Sequence, residues 1–288
     1  MKEKFKPQRR RDTENIRKFS NDKITASAKD QSQISNPKSQ ILFGVLPVLE
    51  ALRAGNRRME KILIAENTHE KRLNEIIVLA RENRIVFQKV PRQNLSKLVE
   101  PGANHQGVIA FVASADYYES EKLLAEISQK IEAGEKPLIV ILDGVEDPRN
   151  LGAILRTVEC AGVDGVFIPE RRAVGLNETV AKSSAGATEY VKVAKVTNLN
   201  RLIEDLKERN IWVVGTSVET DKSYTDWDWN QPTALVMGSE GKGLHRLVAE
   251  NCDMLIKIPM QGKIESLNVS VATGVILFEA FRQRALIN

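Results

Sequence analysis

The sequence predicts an α/β protein whose C-terminal domain carries a mainly parallel sheet, preceded by a small α/β unit. Three observations predict it. From Pro137 onward, short continuous apolar runs (LIVILDGV, GVFIP, IWVVGTSV, ALVMGSEG) alternate with amphipathic helical stretches, the pattern of a sheet covered on both faces. A length of 288 residues exceeds what one domain of roughly 100–200 residues holds. Between the two halves lies a charge-rich stretch, DYYESEKLLAEISQKIEAGEK at 116–136, unlike either neighbour.

Residues 1–40 contain no Leu, Val or Gly, and hold seven Lys and four Arg against five acidic residues. Such a segment cannot bury enough apolar surface to offset its ordering entropy, which predicts a disordered basic tail. It suits either an electrostatic arm for phosphate backbones or a solubilising tail. Because the whole chain is only +4, the remaining 248 residues carry −2, so the folded body is close to neutral. The unit 41–115 begins with ILFGVLPVLEALRAG, where Val45, Val48, Leu49 and Leu52 have helical spacing and Gly55 is a stop. A strand around Ile62 to Ala65, a helix in HEKRLNEIIVLARENR, the strand IVFQKV, a short helix RQNLSKLVE and a closing strand GVIAFVAS follow. In 116–136, Leu123, Leu124, Ile127 and Ile131 form one helical stripe, predicting a bridging helix or linker. Residues 137–288 continue as strands near 138–145, 165–169, 190–196, 211–218, 234–238 and 254–260, with helices between and a last helix from about Leu267 to Arg284.

Composition excludes several classes. Cys160 and Cys252 cannot form a disulfide framework, and His69, His105 and His245 lie in no metal-ligand cluster, so no metal is expected. No apolar run reaches the roughly 18–20 residues of a membrane span, and MKEKFKPQRRRD has no signal-peptide core, which predicts a soluble cytoplasmic protein away from membranes.

In a parallel sheet, ligands bind at the carboxyl ends of strands, and three loops stand there. In DGVEDPRNLGAILRTVECAG, Asn150 is placed to cap a helix whose core stripe is Leu151, Ile154, Leu155 and Val158, while Arg156 points away from it. In VMGSEGKGL, Gly238, Gly241 and Gly243 let backbone approach a ligand, and Glu240 sits in the turn. Its glycine order matches neither GxGxxG nor a P-loop, which disfavours a kinase, nucleotide triphosphatase or ordinary Rossmann dehydrogenase. In IKIPMQGKIESLNVSVATGVILFEAF, Ser266 or Asn268 can cap the last helix, which is apolar nearly all round and so requires cover on more than one side, either by its own sheet and a second subunit or as the central helix of a monomer. Trp227 and Trp229 form a close pair in an expected surface loop, open to base stacking or to packing on the body.

Together, NLGAILRT with its preceding DP, GSEGKGL and IPMQGKIESLNVSVA resemble the three signature motifs of the SpoU (TrmH-like) family of SPOUT methyltransferases, across 137–288. The unit 41–115, with GVLPVLEAL and NHQGVIAFV, resembles the ribosomal-protein-like RNA substrate-binding domain of that family's ribosomal branch. The resemblance implies transfer of a methyl group from S-adenosylmethionine to a ribose 2′-hydroxyl of RNA, most closely a guanosine of 23S ribosomal RNA, within a trefoil-knot domain acting as a homodimer. Transfer RNA, an antibiotic-resistance site in ribosomal RNA, and a non-catalytic RNA-binding protein are the alternatives.

Residue by residue, the resemblance assigns essential roles to Asn150, Arg156, Glu240, Ser266 and Asn268, and cofactor contacts to Gly238, Ile258 and Leu267, with Met260 lining the pocket. Asn150 and Glu240 would position Arg156 and the ribose, and Ser266 and Asn268 would shape the opposite wall. Arg156 matches the family's proposed base, yet a guanidinium keeps its proton in nearly every protein setting. It either holds the target phosphate bidentately and lowers the hydroxyl's pKa, or is deprotonated by its surroundings. Magnitude favours the first, because taking a pKa above about 12 to neutrality requires about 7 kcal/mol.

Overall fold

The structure is a computed structural model that describes residues 39–66 and 71–285. The expected basic tail, apart from Ser39 and Gln40, and His69 lie outside the described residues.

The first unit runs β1 (Ser39–Phe43), α1 (Val45–Ala54), β2 (Met59–Ala65), α2 (Lys71–Glu82), β3 (Val86–Val90), α3 (Arg92–Ser96) and β4 (Val108–Ala113), in a four-stranded sheet of order β1-β4-β2-β3. Strand β1 was not legible, because its apolar part is only Ile41 to Phe43, too short to display a period. The helix α1 stops where expected, with Gly55 left-handed at φ 64° and its N–H donating to the Ala51 carbonyl. Its start is closed by the NHQG loop: Gln106 Oε1 accepts from the Val45 N–H at 2.8 Å, and buried His105 accepts from the Gly107 N–H through Nδ1.

The second sheet has six strands, β5 (Leu138–Asp143), β6 (Gly165–Pro169), β7 (Val193–Val196), β8 (Trp212–Thr216), β9 (Thr233–Gly238) and β10 (Met254–Ile256), in the order β10-β8-β9-β5-β6-β7. Every pairing is parallel. Alternation of side chains then divides the core. Val140 and Leu142 of β5 enter one cluster, beneath α5 (Pro148–Cys160) and α9 (Val269–Ala285), while Ile139 and Ile141 enter the other. The second cluster is covered by α4 (Ser120–Glu132) and α7 (Leu199–Glu208), and the chain also contains α6 (Glu178–Ser183), a 3-10 turn (Ala187–Glu189) and α8 (Arg246–Asn251).

The stretch 116–136 differs from a linker. Leu123, Leu124 and Ile127 of α4 are buried in the second cluster, and Gly165 leaves the space that Leu123 fills. Its apolar stripe finds the sheet because Tyr118 donates its N–H to Val193 at the edge strand, delivering the helix onto that face. Trp227 and Trp229 are also buried, their indole N–H groups donating to Thr233 and to the Tyr224 carbonyl, so both pack onto the body and present no ring to RNA.

The first unit is held against residues 176–190 of the second. Tyr190 donates to Glu50, Asn56 donates to the Glu189 carbonyl, and Gly186 admits the Glu50 side chain where a Cβ would come within 2.6 Å. At the centre, Arg57 forks onto the carboxylate of Glu189, and both side chains are buried. Burial pushes the Glu189 carboxyl up, against the pull of Arg57. A carboxyl raised in the folded state binds its proton more tightly there than when unfolded, so its contribution is favourable at low pH and lost as pH rises through the folded value. Arg57→Ala strands the buried charge and is expected to cost about 3–5 kcal/mol at pH 7.5. The loss should shrink as pH is lowered, because protonation relieves the stranded carboxyl; urea denaturation at pH 7.5 and at a series of lower pH values checks this, and a loss that does not change with pH would count against it.

Candidate active site

The three loops singled out in the sequence converge at the carboxyl edge of the second sheet. At the start of α5 the cap is Asp147, whose Oδ1 accepts from the Arg149 N–H at 2.7 Å, with Pro148 in the first helical position. Asn150 is therefore the third residue of the helix and not its cap. Its side chain is released to the site, where Nδ2 donates to Glu240 Oε1 at 2.6 Å. Asn268 caps α9, its Oδ1 accepting from the Ser270 and Val271 N–H groups at 3.0 and 3.4 Å. The same amide turns its Nδ2 to Glu240 Oε1 at 2.6 Å and to Asn150 Oδ1 at 3.1 Å. One carboxylate oxygen thus gathers two amides from the other two loops, in charge-assisted bonds. Glu240 Oε2 makes no hydrogen bond among the described residues.

Beside this cluster lies a cavity of about 680 Å³ lined by Gly238, Glu240, Ile258, Met260, Ser266 and Leu267, among others. Gly238 is required here because a Cβ would fall 2.2 Å from the Gly243 carbonyl carbon. The loop folds back on itself, Ser239 and Gly243 exchanging both backbone hydrogen bonds at 3.0 Å, with Gly241 and Gly243 at positive φ. Thr216 at the end of β8, and Ser217 and Glu219 just beyond it, also line the cavity. They were missed, although their place after a parallel strand was the available signal.

Arg156 stands apart. It is exposed, six residues beyond Asn150 on α5, and its guanidinium has no partner among the described residues. The expected contact of Asn150 and Glu240 with Arg156 is absent within the chain, since six residues advance the helix about 9 Å and turn it to another face. Ser266 reaches the cavity wall but makes no bond to the cluster.

The comparisons agree with this geometry. Residues 137–278 match the SpoU rRNA methylase family and residues 41–118 match the RNA 2′-O ribose methyltransferase substrate-binding family. A relative named "Putative TrmH family tRNA/rRNA methyltransferase YacO", from Bacillus subtilis, is 47% identical over 243 residues, covering 84% of this chain and 95% of the relative. The crystal structure of an RNA 2′-O ribose methyltransferase superposes with a TM-score of 0.71 at 26% identity, covering 86% and 90% of the two chains. That of the SpoU methyltransferase AviRb from Streptomyces viridochromogenes, in complex with AdoMet, gives 0.68 at 26% identity, covering 87% and 92%. A parallel-sheet RNA methyltransferase with its own substrate-binding domain is the class so defined. The chain belongs to the SpoU (TrmH) family, and is an S-adenosylmethionine-dependent RNA ribose 2′-O-methyltransferase of tRNA or rRNA.

The residues present fit that cofactor. The cavity volume falls within the roughly 300–1,000 Å³ of small-molecule sites. Ile258, Leu267 and Ile276 supply an apolar wall for a purine, and Glu219 and Lys257 supply both signs of charge, as an amino-acid moiety requires. Among the described residues no helix is long and apolar enough to cross a membrane, and no His, Cys, Asp and Glu group could hold a metal ion.

Asn268 serves both the helix and the cluster, and the two can be separated. Asn268→Ser keeps a capping oxygen and should stay near wild type in thermal melting, whereas Asn268→Ala should lose about 1 kcal/mol. Both should lose methyl transfer, because alanine has no donor and the shorter serine hydroxyl, held at the cap, does not reach Glu240 as the amide Nδ2 does; full activity in the serine variant would detach Glu240 from the reaction.

Proposed function

We propose that this enzyme methylates the 2′-hydroxyl of one guanosine in 23S ribosomal RNA, working as a homodimer built on α9. The observation that carries the reading is the Asn150–Glu240–Asn268 cluster at the rim of the cofactor cavity, with an unpartnered arginine on the same catalytic helix. A substrate-binding domain of the RNA 2′-O ribose type supports an RNA target held outside the catalytic domain. The relatives' shared name, which covers tRNA and rRNA, keeps transfer RNA as the second reading.

The bound cofactor supplies an already activated sulfonium methyl, so the protein's task is alignment and proton removal. Asn150 and Asn268, oriented by their common acceptor, hold Glu240 with Oε2 free to accept from the ribose hydroxyl. Ser266 shapes the adjoining wall; Gly238, Ile258, Met260 and Leu267 hold the cofactor. A guanidinium is a donor and a cation only, so Arg156 grips the phosphate next to the ribose and favours the developing alkoxide. Since Arg156 contacts nothing in its own chain's cluster, it serves the site of the second subunit. Residues 258–267, threaded as the trefoil knot of the family, complete this reading, and the basic tail 1–40 adds affinity without selecting the nucleotide.

Support for the dimer comes from α9. One face is buried through Val269, Thr273, Ile276, Leu277 and Ala280, yet Val271, Phe278 and Phe281 on the other remain 51%, 48% and 51% exposed. An uncovered apolar stripe of this kind calls for a partner, and a second copy brings Arg156 with it.

Three measurements test the proposal. Protein, labelled S-adenosylmethionine and total RNA from a strain lacking the gene should yield one 2′-O-methylguanosine in 23S RNA, mapped by primer extension. Arg156→Ala should lower that signal at least about a hundredfold while calorimetry shows cofactor affinity within about twofold of wild type. Label in transfer RNA would favour the second reading, and joint loss of cofactor binding would remove Arg156 from its role. Phe278→Glu with Phe281→Glu should convert a dimer to a monomer in light scattering and abolish transfer; an active monomer would refute the shared site.

A further inference from the structure

A second cleft, of about 460 Å³, opens at the carboxyl ends of β5, β6 and β7. Arg171, Arg172, Arg246 and His245 line it, against a single carboxylate, Asp143. That carboxylate is already engaged. It is buried, Oδ2 accepting from the His245 N–H at 2.7 Å and Oδ1 bonding His245 Nδ1 at 2.8 Å, so it fixes the imidazole while leaving the ring 53% exposed and Nε2 without a partner among the described residues. Arg246 is shared with Glu250 at 2.6 Å, but Arg171 and Arg172 are exposed and make no side-chain bond among the described residues. Arg172 holds φ 58°, a conformation uncommon outside glycine that keeps this loop turned at the end of β6. In a body whose charge is −2 over 248 residues, three arginines around one buried, hydrogen-bonded acid are a local concentration of positive charge.

The cleft is continuous with the catalytic edge. Arg246 lines both cavities, and between them the wall is thin: a Cβ on Gly144 would lie 3.4 Å from Ser239 and 3.6 Å from His245. Leu247, 52% exposed on the cleft, offers an apolar surface beside the cations.

We propose that this cleft binds a phosphodiester of the RNA strand a short distance from the target ribose, Arg171 and Arg172 gripping the phosphate and Leu247 packing on the attached nucleotide. The proposal rests on the reading of the chain as an RNA methyltransferase, and assigns to the loop after β6 the part of substrate positioning that the cofactor cavity does not provide. Single-strand phosphate contacts release counterions, so each shows in the salt dependence of affinity as well as in affinity itself.

The test measures binding of deproteinised 23S RNA without cofactor, across a series of KCl concentrations. Arg171→Ala with Arg172→Ala should weaken binding at least about tenfold and make the slope of log K against log salt less negative by about 1–2. Arg171→Lys with Arg172→Lys should restore the slope but only part of the affinity, because lysine lacks the bidentate fork. A charge-matched control, Lys136→Ala with Lys222→Ala, should change affinity by less than about threefold. Unchanged affinity and slope in the alanine pair, or an equal loss in the control, would overturn the proposal. Because cofactor is absent, failure of the wild type to methylate 23S RNA would refute the functional reading and leave this result standing on its own.

Discussion

The parallel pairing of β5 with β9 runs in register from Leu138 opposite Thr233 to Asp143 opposite Gly238, and the site depends on it. Both strands are buried along their whole length, so neither can slip without exposing its apolar residues. Ending together, they release the DGVEDPRN and SEGKG loops side by side. Asn150 then meets a carboxylate 90 residues away, and Asn268 meets Asn150 across 118. A sheet of antiparallel hairpins would send those loops to opposite edges.

The same edge carries two openings of different character. The cavity at Gly238 is apolar-walled and shaped by backbone that folds too closely for any side chain. The cleft at Arg171 and Arg172 is open and cationic. They are kept apart by Gly144, Ser239 and His245, and His245 is immobilised by an acid buried at the end of the central strand. The substrate-binding unit is fixed in turn through Arg57 and Glu189 to residues that pack on α5: a Cβ on Gly152 would clash with Ser183 just before that contact region. The helix bearing Asn150 and Arg156 is thereby supported from the side of the first unit.

Much of this was legible before any coordinates. The apolar runs and their spacing identified the buried strands, and the glycine order in VMGSEGKGL marked the close backbone approach. Other features were hidden for physical reasons. Asn150 read as a helix cap because Asp147 and Asn150 are both capping residue types, and spacing cannot say which oxygen lies nearer the free N–H groups. Trp227 and Trp229 stayed open between base stacking and packing on the body, because a polar loop sequence does not reveal that its rings turn inward. Helix α4 read as a linker because an amphipathic stripe shows that a helix is buried but not against what.

By itself, the sequence determined the secondary structure of the second domain, the three loops that converge at its carboxyl edge and the residue types within them, since periodicity and local φ/ψ demands are properties of neighbouring residues. Only the tertiary structure decided that Glu240 orients two amides from distant loops, that Arg156 stands free of them, and that Asp143 and His245 form the wall of a second, cationic cleft. Those are relations between residues far apart in the chain. They are set by strand order and register, which no local pattern encodes.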